Sequence, residues 1–373
     1  MSMIYFDNAA TTPLCGAAFD AMIPLLKDGY GNPSSQHEMG QRAATALFSA
    51  RKAMTECLGC AANELFFTSG GSEADSMAIS SAAQLGEKLG RRHIISQKTE
   101  HHAVLNALAV LSRRGFEITL LDTDSEGRLS PEKLEHALRP DTALVSVMTA
   151  NNEIGTIQPI AELAAVCRKH NVLFHTDAVQ AVGHLPINVQ QLGCDMLSLS
   201  AHKFGGPKGA GALFVRSGIE VFPLIHGTQE MGRRGGTENV PAIAGMAAAL
   251  TDAVSHHEER TQHVTRLRDM LINELSYLPC APLNGSRSER LCGNVSFCFE
   301  GHSGERLVYQ LSKAGICASA GAACSSGTGA SHVLLGIGRT TEQAQSAVRL
   351  SLSHCNTEDE VIAVAAAIKA LIY

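Results

Sequence analysis

The sequence predicts an α/β protein, with a large domain built on a mixed, mostly parallel seven-stranded sheet and a smaller α+β domain. Three observations indicate this fold. Short apolar segments alternate with amphipathic segments over most of the chain, which is typical of a parallel sheet covered by helices. The alternation ends near Val254, where a long polar helical segment begins. The chain has 373 residues, which is too long for one small core.

Seven apolar segments are predicted to be the buried strands of the large sheet, because each is short and ends in polar or turn residues. In chain order they are ELFFTSG, RHIISQ, FEITLLD, ALVSVMT, VLFHTDA, DMLSLS and GALFVR. Amphipathic helices are predicted between them, for example over residues 72–89 and 159–170.

The C-terminal part has a different pattern. A polar helix is predicted over residues 256–277, followed by a strand in NVSFCFEG, a helix near residues 305–314 and a last helix that ends at Tyr373. We therefore expect a large domain over residues 16–255 and a small domain formed by residues 1–15 and 256–373.

Composition and charge argue against several classes of protein. Hydrophobic residues make up 45% and charged residues 18% of the chain, which favours a packed protein over a disordered one. The net charge of -6 and the lack of a Lys/Arg run argue against direct nucleic-acid binding. The N-terminus has no signal-peptide pattern and the apolar segments are too short to span a bilayer, so we expect a cytoplasmic protein without a membrane partner.

The 11 cysteines have no spacing that is typical of a disulfide framework, so most are expected to be free thiols. Cys57 and Cys60 form a single C-x-x-C motif. Without a second pair this motif is weak evidence for zinc or redox chemistry, and we interpret it as two small apolar side chains near a helix end. No metal site is predicted.

The segment DMLSLSAHKFGGPKGAGALFV places polar side chains directly after a buried strand. Ser200, His202 and Lys203 follow the strand and precede a Gly-rich turn. Ligands of open α/β sheets bind at the carboxyl ends of the strands, and a lysine in this position suits a Schiff base with an aldehyde cofactor. The alternative is a solvated lysine in a hairpin, which the usual exposure of lysine favours when the segment is taken alone.

Two further strand ends fit the same cofactor. Asp177 ends the VLFHTD strand, and a buried carboxylate needs a cationic partner such as the protonated ring nitrogen of pyridoxal phosphate. Gln180 is within reach of the phenolic oxygen of that ring. Gly70, Gly71 and Ser72 follow ELFFTS and open a helix, where free N–H groups bind a phosphate. The alternatives are a simple N-cap Asp and a simple Gly-Gly-Ser turn.

The segment KTEHHAV places His101 or His102 at the start of a predicted helix. An imidazole there can stack on a flat cofactor ring and exchange protons. A lone histidine is more often structural, so this interpretation depends on the other segments.

Cys324 lies near the middle of SAGAACSSGTGAS, a segment of small residues without an apolar anchor. Such a composition predicts a flexible loop, where a buried structural cysteine is not expected. A thiol in such a loop is a candidate nucleophile. The alternative is an incidental surface thiol, because mobility alone does not make a thiol reactive.

Together and in this order, the segments resemble the fold-type I pyridoxal-phosphate enzymes, and among them the group I cysteine desulfurases of the class V aminotransferase family. The resemblance covers nearly the whole chain and also includes YFDNAATTP, NNEIGTIQPI, GRRGGTENV and SAVRLSLS. It implies an enzyme that converts L-cysteine to L-alanine, with the sulfur transferred to Cys324 as a persulfide and then to an acceptor protein of unknown identity. The alternatives are a class V transaminase or lyase without sulfur transfer, and a non-catalytic sulfur carrier.

The resemblance also implies a role for each matching position. Lys203 would carry the cofactor, with Asp177 at its pyridine nitrogen, Gln180 at its phenolic oxygen and His101 against its ring face. Arg349 would bind the substrate carboxylate through a planar fork. The remaining implied contacts are to the phosphate by Gly71, Ser72, Ser200 and His202, to the phenolic oxygen and substrate carboxylate by Asn152, and to the phosphate of a partner subunit in a homodimer by Thr237.

Three features depart from the usual group I pattern. The segment after Cys324 is about one residue shorter, SAGAAC stands in place of the more usual SSGSAC, and Thr228 stands where a third glycine is common. None of these differences removes a catalytic group, but they leave the sulfur acceptor open.

Overall fold

The computed structural model describes residues 3–278, 281–320 and 330–373. The strands in these ranges are β1 (Ile4–Tyr5), β2 (Leu65–Thr68), β3 (His93–Gln97), β4 (Glu117–Leu121), β5 (Thr142–Ser146), β6 (Leu173–Asp177), β7 (Met196–Ser200), β8 (Gly211–Val215), β9 (Asn294–Cys298), β10 (Ile316–Cys317), β11 (Ser319–Ala320) and β12 (Ala347–Ser351).

The helices in the same ranges begin and end as follows: α1 (Gly16–Lys27), α2 (Glu38–Leu58), α3 (Gly71–Lys88), α4 (His102–Arg113), α5 (Pro131–Ala137), α6 (Ile160–Lys169), α7 (Val189–Leu192), α8 (Val240–Ser255), α9 (His257–Ser276), α10 (Gly304–Lys313), α11 (His332–Gly336), α12 (Thr341–Gln345) and α13 (Glu358–Ile372). Short 3-10 helices occur at Ala62–Glu64, Ala201–Lys203 and Glu230–Gly232. In the part of the chain that is described, no helix is both long and apolar enough to cross a bilayer.

Strands β2 to β8 form one seven-stranded sheet in the order β2-β8-β7-β6-β5-β3-β4. Strands β3 to β7 pair in parallel, whereas β8 runs antiparallel to both of its neighbours, β2 and β7. These are the seven strands that the sequence predicts, so the mixed, mostly parallel sheet is confirmed.

Alternate residues along these strands pack on opposite faces of the sheet, as the strand repeat requires. One core cluster contains Phe67, Ile95, Val145, Leu197 and Phe214, together with residues of α1, α2, α6 and α8. A second cluster on the other face takes the residue before each of these, namely Phe66, Ile94, Leu144, Met196 and Leu213, and packs them against α3 and α4. Helices on both faces explain why the strands are continuous apolar segments.

A second, smaller sheet is formed by β11, β12 and β9, all antiparallel, and β1 pairs in parallel with β10 nearby. Their core cluster joins Phe6 to Leu271 of α9, Phe297 of β9, Leu311 of α10 and Val361 of α13. The predicted helices at 256–277 and 305–314 agree with α9 and α10 to within one residue at each end.

Cys57 and Cys60 pack against the core cluster beneath α2, as the sequence predicts for two small apolar side chains. Burial raises the pKa of both thiols, that of Cys60 to about 12. A thiol with a raised pKa is a poor nucleophile near neutral pH, so neither is suited to sulfur chemistry.

Candidate active site

A cavity of about 460 Å³ lies at the carboxyl ends of β6 and β7, where the large sheet meets strands β9, β11 and β12 of the second sheet. Its volume suits a small cofactor with a substrate. Most of the predicted site residues line it, namely Gly71, Ser72, His101, Asn152, Asp177, Gln180, Ser200, His202, Lys203 and Arg349.

Lys203 lies in the 3-10 turn that follows β7. Its Nζ donates hydrogen bonds to the carbonyl oxygen of Ala9 at 2.7 Å and to that of Ala10 at 2.8 Å. This turn begins the segment 201–210 that connects β7 to the antiparallel strand β8, in which Gly211 is paired with Ser200. The amine is therefore held at the cavity by the N-terminal segment of the chain.

Asp177 ends β6 and is only 5% exposed. Its Oδ1 accepts a hydrogen bond from the backbone N–H of Val179 at 2.9 Å. Burial raises the pKa of Asp177, while the positive charges of His101 and Lys203 oppose the rise. A protonated pyridine nitrogen in the cavity would supply the cation that a buried carboxylate requires.

The N-terminus of α3, which begins at Gly71 directly after β2, forms another wall of the cavity. A Cβ atom on Gly71 would lie 2.5 Å from Cγ2 of Val179, so only glycine fits without a shift. Ser72, Ser200 and His202 line the cavity beside this helix end. Free N–H groups and hydroxyls in this arrangement suit a phosphate. Burial lowers the pKa of His202 to about 4, which keeps its imidazole neutral at pH 7.

Of the two histidines predicted at the start of α4, His101 lines the cavity, whereas His102 is not among the lining residues. His101 is the N-cap of α4, and its Nδ1 accepts a hydrogen bond from the backbone N–H of Ala103 at 3.1 Å. In the neutral ring Nε2 therefore carries the proton. Desolvation lowers the pKa of His101, although the charge of Asp177 acts in the opposite sense. The ring of His102 lies 4.6 Å from that of His332 instead.

Arg349 comes from β12, and its guanidinium is held on two sides. Nη1 donates to the carbonyl oxygen of Asn152 at 3.0 Å, and Nη2 pairs with Oδ1 of Asp7 at 2.9 Å. Gln180 also binds the N-terminal segment, because its Nε2 donates to the carbonyl oxygen of Ala9 at 2.9 Å.

Of the predicted site residues that the structure describes, Thr237 is not among those that line the cavity. Thr237 is exposed in the segment before α8, and its contact with a partner subunit stays a prediction. Cys324 lies outside the described residues. Among the described residues, Ser319 and Ala320, which precede Cys324 in the chain, and Leu334, which follows it, line the cavity.

The sequence interpretation assigned no role to several residues that shape the site. Asp7, Ala9 and Ala10 belong to the motif YFDNAATTP, which was noted without a function for its members. Asp75 lines the cavity from the buried face of α3, and an acidic residue on an apolar helix face was the signal for it. Glu153 lines the cavity and its Oε2 accepts a hydrogen bond from Ser331 at 2.5 Å; no sequence signal identifies it.

The residues around the cavity fit pyridoxal phosphate at three of its polar groups, namely the phosphate, the aldehyde and the ring nitrogen. The N-terminus of α3 would bind the phosphate, the amine of Lys203 at the cavity would bind the aldehyde, and the buried carboxylate of Asp177 would pair with a protonated ring nitrogen. The close approach of Gly71 to Val179 leaves no room for a side chain at this helix end.

Comparisons with known proteins agree with this fit. Residues 4–364 match the aminotransferase class-V family. The chain is 47% identical over 360 residues to cysteine desulfurase IscS of Methanosarcina thermophila, which covers 96% of this chain and 89% of the relative. It is 46% identical over 361 residues to the protein of the same name from Dictyoglomus turgidum, with 96% and 91% covered. Among solved structures, a NifS-like protein has a TM-score of 0.94 and 38% identity, with 99% of each chain covered.

Proposed function

Because the chain belongs to the aminotransferase class-V family and is a pyridoxal-phosphate-dependent cysteine desulfurase, we propose specific roles for the residues around its cavity. The enzyme converts L-cysteine to L-alanine and transfers the sulfur. These roles are proposed because one cavity is lined by Lys203, Asp177, His101 and Arg349. The four residues come from four separate parts of the chain.

Bound pyridoxal phosphate supplies an electron sink for the α-carbon of the substrate. Lys203 anchors the cofactor, Asp177 keeps its ring nitrogen protonated, and Gln180 binds its phenolic oxygen. The phosphate is assigned to Gly71, Ser72, Ser200 and His202. Support for this set comes from its common cavity and from the close fit at Gly71.

The substrate is oriented by Arg349, whose fork binds the α-carboxylate with Asn152 beside it. Protons at the α-carbon and at the leaving groups are moved by Nζ of Lys203 and Nε2 of His101. The lowered pKa of His101 supports this role, because a neutral imidazole can both accept and donate a proton near neutral pH.

Cys324 is proposed as the nucleophile that takes the sulfur as a persulfide. No cysteine lines the cavity among the residues that the structure describes. Of the two cysteines outside those residues, Cys280 follows Leu278, which packs in the core of the second sheet. Cys324 instead follows Ala320, which lines the cavity. This placement of the neighbouring residues supports Cys324.

The test uses purified enzyme, L-cysteine and a thiol reductant, with alanine and sulfide as the products measured. The Cys324→Ser variant should retain its cofactor but lose most alanine formation, at least about a hundredfold, because a serine hydroxyl is scarcely ionised near neutral pH. After brief exposure of the wild type to L-cysteine, mass spectrometry should find one added sulfur on the peptide that contains Cys324.

The matched control is Cys317→Ser, which changes a half-buried cysteine of β10. It should form alanine at the wild-type rate. Alanine formation by Cys324→Ser at the wild-type rate, or an added sulfur on Cys317 or another cysteine, would assign the nucleophile elsewhere.

A homodimer is proposed in which Thr237 binds the phosphate in the partner subunit. Large apolar side chains at Leu224, Ile225 and Met231, in the segment before Thr237, are 42% to 58% exposed. Exposed apolar side chains concentrated in one segment favour a protein interface. The sulfur acceptor is proposed to be a second protein, and the free thiols of the described cysteines support a location in the cytosol.

A further inference from the structure

Asp7 lies beside the cavity, in the N-terminal segment. One of its oxygens, Oδ1, accepts two hydrogen bonds, from Nη2 of Arg349 at 2.9 Å and from Oγ of Ser319 at 2.8 Å. The two donors are themselves opposite each other in the β11–β12 ladder. Only 12% of the Arg349 side chain and 20% of the Asp7 side chain are exposed, so water screens this ion pair weakly.

The main chain of Asp7 is also well anchored. Asp7 forms a parallel bridge with Ser351, at the end of the strand that carries Arg349. Its carbonyl oxygen accepts a hydrogen bond from the backbone N–H of Ala10 at 3.0 Å. The carboxylate therefore projects from backbone that is tied both to β12 and to the turn that contacts Lys203.

Asp7 and Asn152 together determine the orientation of the Arg349 guanidinium. Each takes one donor, Nη2 and Nη1 respectively, out of the five N–H groups that arginine offers. The Nε atom is buried and has no hydrogen-bond partner among the described residues. Donors thus remain for a further carboxylate. Arginine has many rotamers, and two fixed contacts select one of them.

We infer that Asp7 is a positioning residue for substrate recognition, which holds Arg349 in the orientation that binds the α-carboxylate of the amino-acid substrate. The inference rests on the proposed role of Arg349 as the carboxylate clamp. Asp7 also balances the charge of Arg349 before substrate binds, because a largely buried guanidinium is costly without a carboxylate nearby. Without Asp7, only the contact with Asn152 would orient the fork.

A second effect of Asp7 has the opposite sign, because its negative charge repels the substrate carboxylate. In this geometry, the orientation of the Arg349 guanidinium by Asp7 is a larger effect than the repulsion between Asp7 and the substrate carboxylate. Oδ1 of Asp7 is shared between Arg349 and Ser319, which reduces the charge that it presents to the cavity. Loss of the side chain should therefore weaken substrate binding rather than strengthen it.

The test compares L-cysteine with cysteamine, which has the same amine and thiol but no carboxylate. For each holoenzyme variant, the concentration that gives the half-maximal change in cofactor absorbance is measured for both compounds. Asp7→Ala should raise this concentration about tenfold for L-cysteine and leave that for cysteamine unchanged, since about one charge-assisted hydrogen bond is lost. The kcat at saturating L-cysteine should change less than about threefold.

Two further variants sharpen the comparison. Asp7→Asn keeps an oxygen acceptor for Arg349 and Ser319 but loses the charge, so it should show an intermediate rise of about threefold for L-cysteine only. Asp359→Ala removes an exposed carboxylate of α13 and should behave like the wild type. Should Asp7→Ala not fold, the selective change in Asp7→Asn decides the question.

Equal effects on L-cysteine and cysteamine would mean that Asp7 supports the whole site, and the inference would be wrong. It would also be wrong if both Asp7 variants bind L-cysteine as tightly as the wild type or more tightly. Arg349→Gln separates this inference from the proposed clamp. Preference here means tighter binding of L-cysteine than of cysteamine. If Arg349→Gln loses this preference while the Asp7 variants keep it, only the inference about Asp7 fails. If Arg349→Gln keeps that preference, the clamp itself fails.

Discussion

Lys203 shares its cavity with the buried acids Asp75 and Asp177, and we propose that the chemistry of this enzyme depends on them. Asp75 is 1% exposed, and its Oδ1 has no hydrogen-bond partner in the described part of the chain. A carboxylate oxygen of Asp75, a ring nitrogen of His101 and a carboxylate oxygen of Asp177 lie within 4.8 Å of one another. Burial raises the pKa of Asp75, of Asp177 and of Glu100, and the charge of Asp177 raises those of the other two further. Asp75 and Glu100 therefore hold their protons to a higher pH than exposed carboxyl groups would.

Replacement of the cofactor-anchoring amine is predicted to abolish catalysis. Lys203→Ala should lose covalently held cofactor and at least about a hundredfold of its activity, because no other lysine among the described residues lines the cavity to bind an aldehyde. Absorbance of the retained cofactor after dialysis and alanine formation measure the two effects. Lys208→Ala, which changes an exposed lysine five residues later, is the matched control and should resemble the wild type. Cofactor absorbance retained by Lys203→Ala would place the anchor elsewhere.

Glu100→Gln is predicted to make the stability of the cofactor-free protein less dependent on pH. Burial raises the pKa of Glu100 to about 8, whereas an unfolded glutamate titrates near about 4.3. A carboxyl group whose pKa rises on folding stabilises the folded state below its unfolded pKa, and this contribution is lost as the pH rises through the folded pKa. Between about pH 5 and about pH 8 the wild type should therefore lose more thermal stability than Glu100→Gln.

The buried histidines do not obscure this comparison. Burial lowers the pKa of His175 to about 3, so the contribution of His175 to folding stability is lost as the pH falls. This contribution is the same in the wild type and in Glu100→Gln. Glu162→Gln, at an exposed position of α6, should keep the wild-type dependence. Parallel curves of unfolding midpoint against pH for the wild type and Glu100→Gln would contradict the raised pKa of Glu100.

At the scale of single elements, the N-terminus of α3, which is proposed to bind the phosphate, has no space for a side chain at Gly71. Gly71→Ala should weaken cofactor binding and lower the free energy of unfolding by about 1–3 kcal/mol, because its Cβ would lie 2.5 Å from Cγ2 of Val179. Cofactor titration and denaturant unfolding measure the two effects. The reason is steric, since α3 itself would tolerate alanine at a helical position.

The chain offers a matched control for this change. Gly16 also starts a helix, α1, and a Cβ atom there would meet nothing within 4 Å. Gly16→Ala should be neutral or slightly stabilising, since alanine restricts the unfolded chain. Equal losses in both variants would show that helix propensity, rather than the contact with Val179, causes the effect.

For the whole molecule, we propose two domains, residues 16–255 and residues 1–15 with 256–373. The separation of the core clusters supports this division. Ala18 of α1 packs with the large sheet, whereas Phe6 packs with the strands and helices of the second sheet. The cavity lies between the two sheets, so each part contributes side chains to it.

The proposed homodimer predicts complementation between inactive variants. Mixing Lys203→Ala with Thr237→Ala should restore about half of the sites in the mixed dimers, because one site then has an intact Lys203 and an intact Thr237 from its partner. Alanine formation after verified subunit exchange measures the recovery. A mixture of Lys203→Ala with the double variant Lys203→Ala/Thr237→Ala should recover nothing. Equal activity of both mixtures would exclude the shared site.

The sequence by itself determined the large sheet and the position of its chemistry. The seven strands were predicted because buried strands are continuous apolar segments, which is a local property of the chain. Asp177, Ser200 and Lys203 could be found because each stands at or just after the end of such a strand, where ligands of these sheets bind. The resemblance in ordered motifs then distinguished the family.

Only the tertiary structure decided which distant groups meet. Asp7 and Arg349 are 342 residues apart in the chain, and no local pattern indicates that they pair. Glu100 and Asp75 likewise gain their raised pKa values from burial beside Asp177, which depends on how α3 and the segment before α4 pack against the sheet. Hydrophobic periodicity predicts elements because it acts along a few residues, whereas the charges that meet across a cavity depend on the packing of the whole chain.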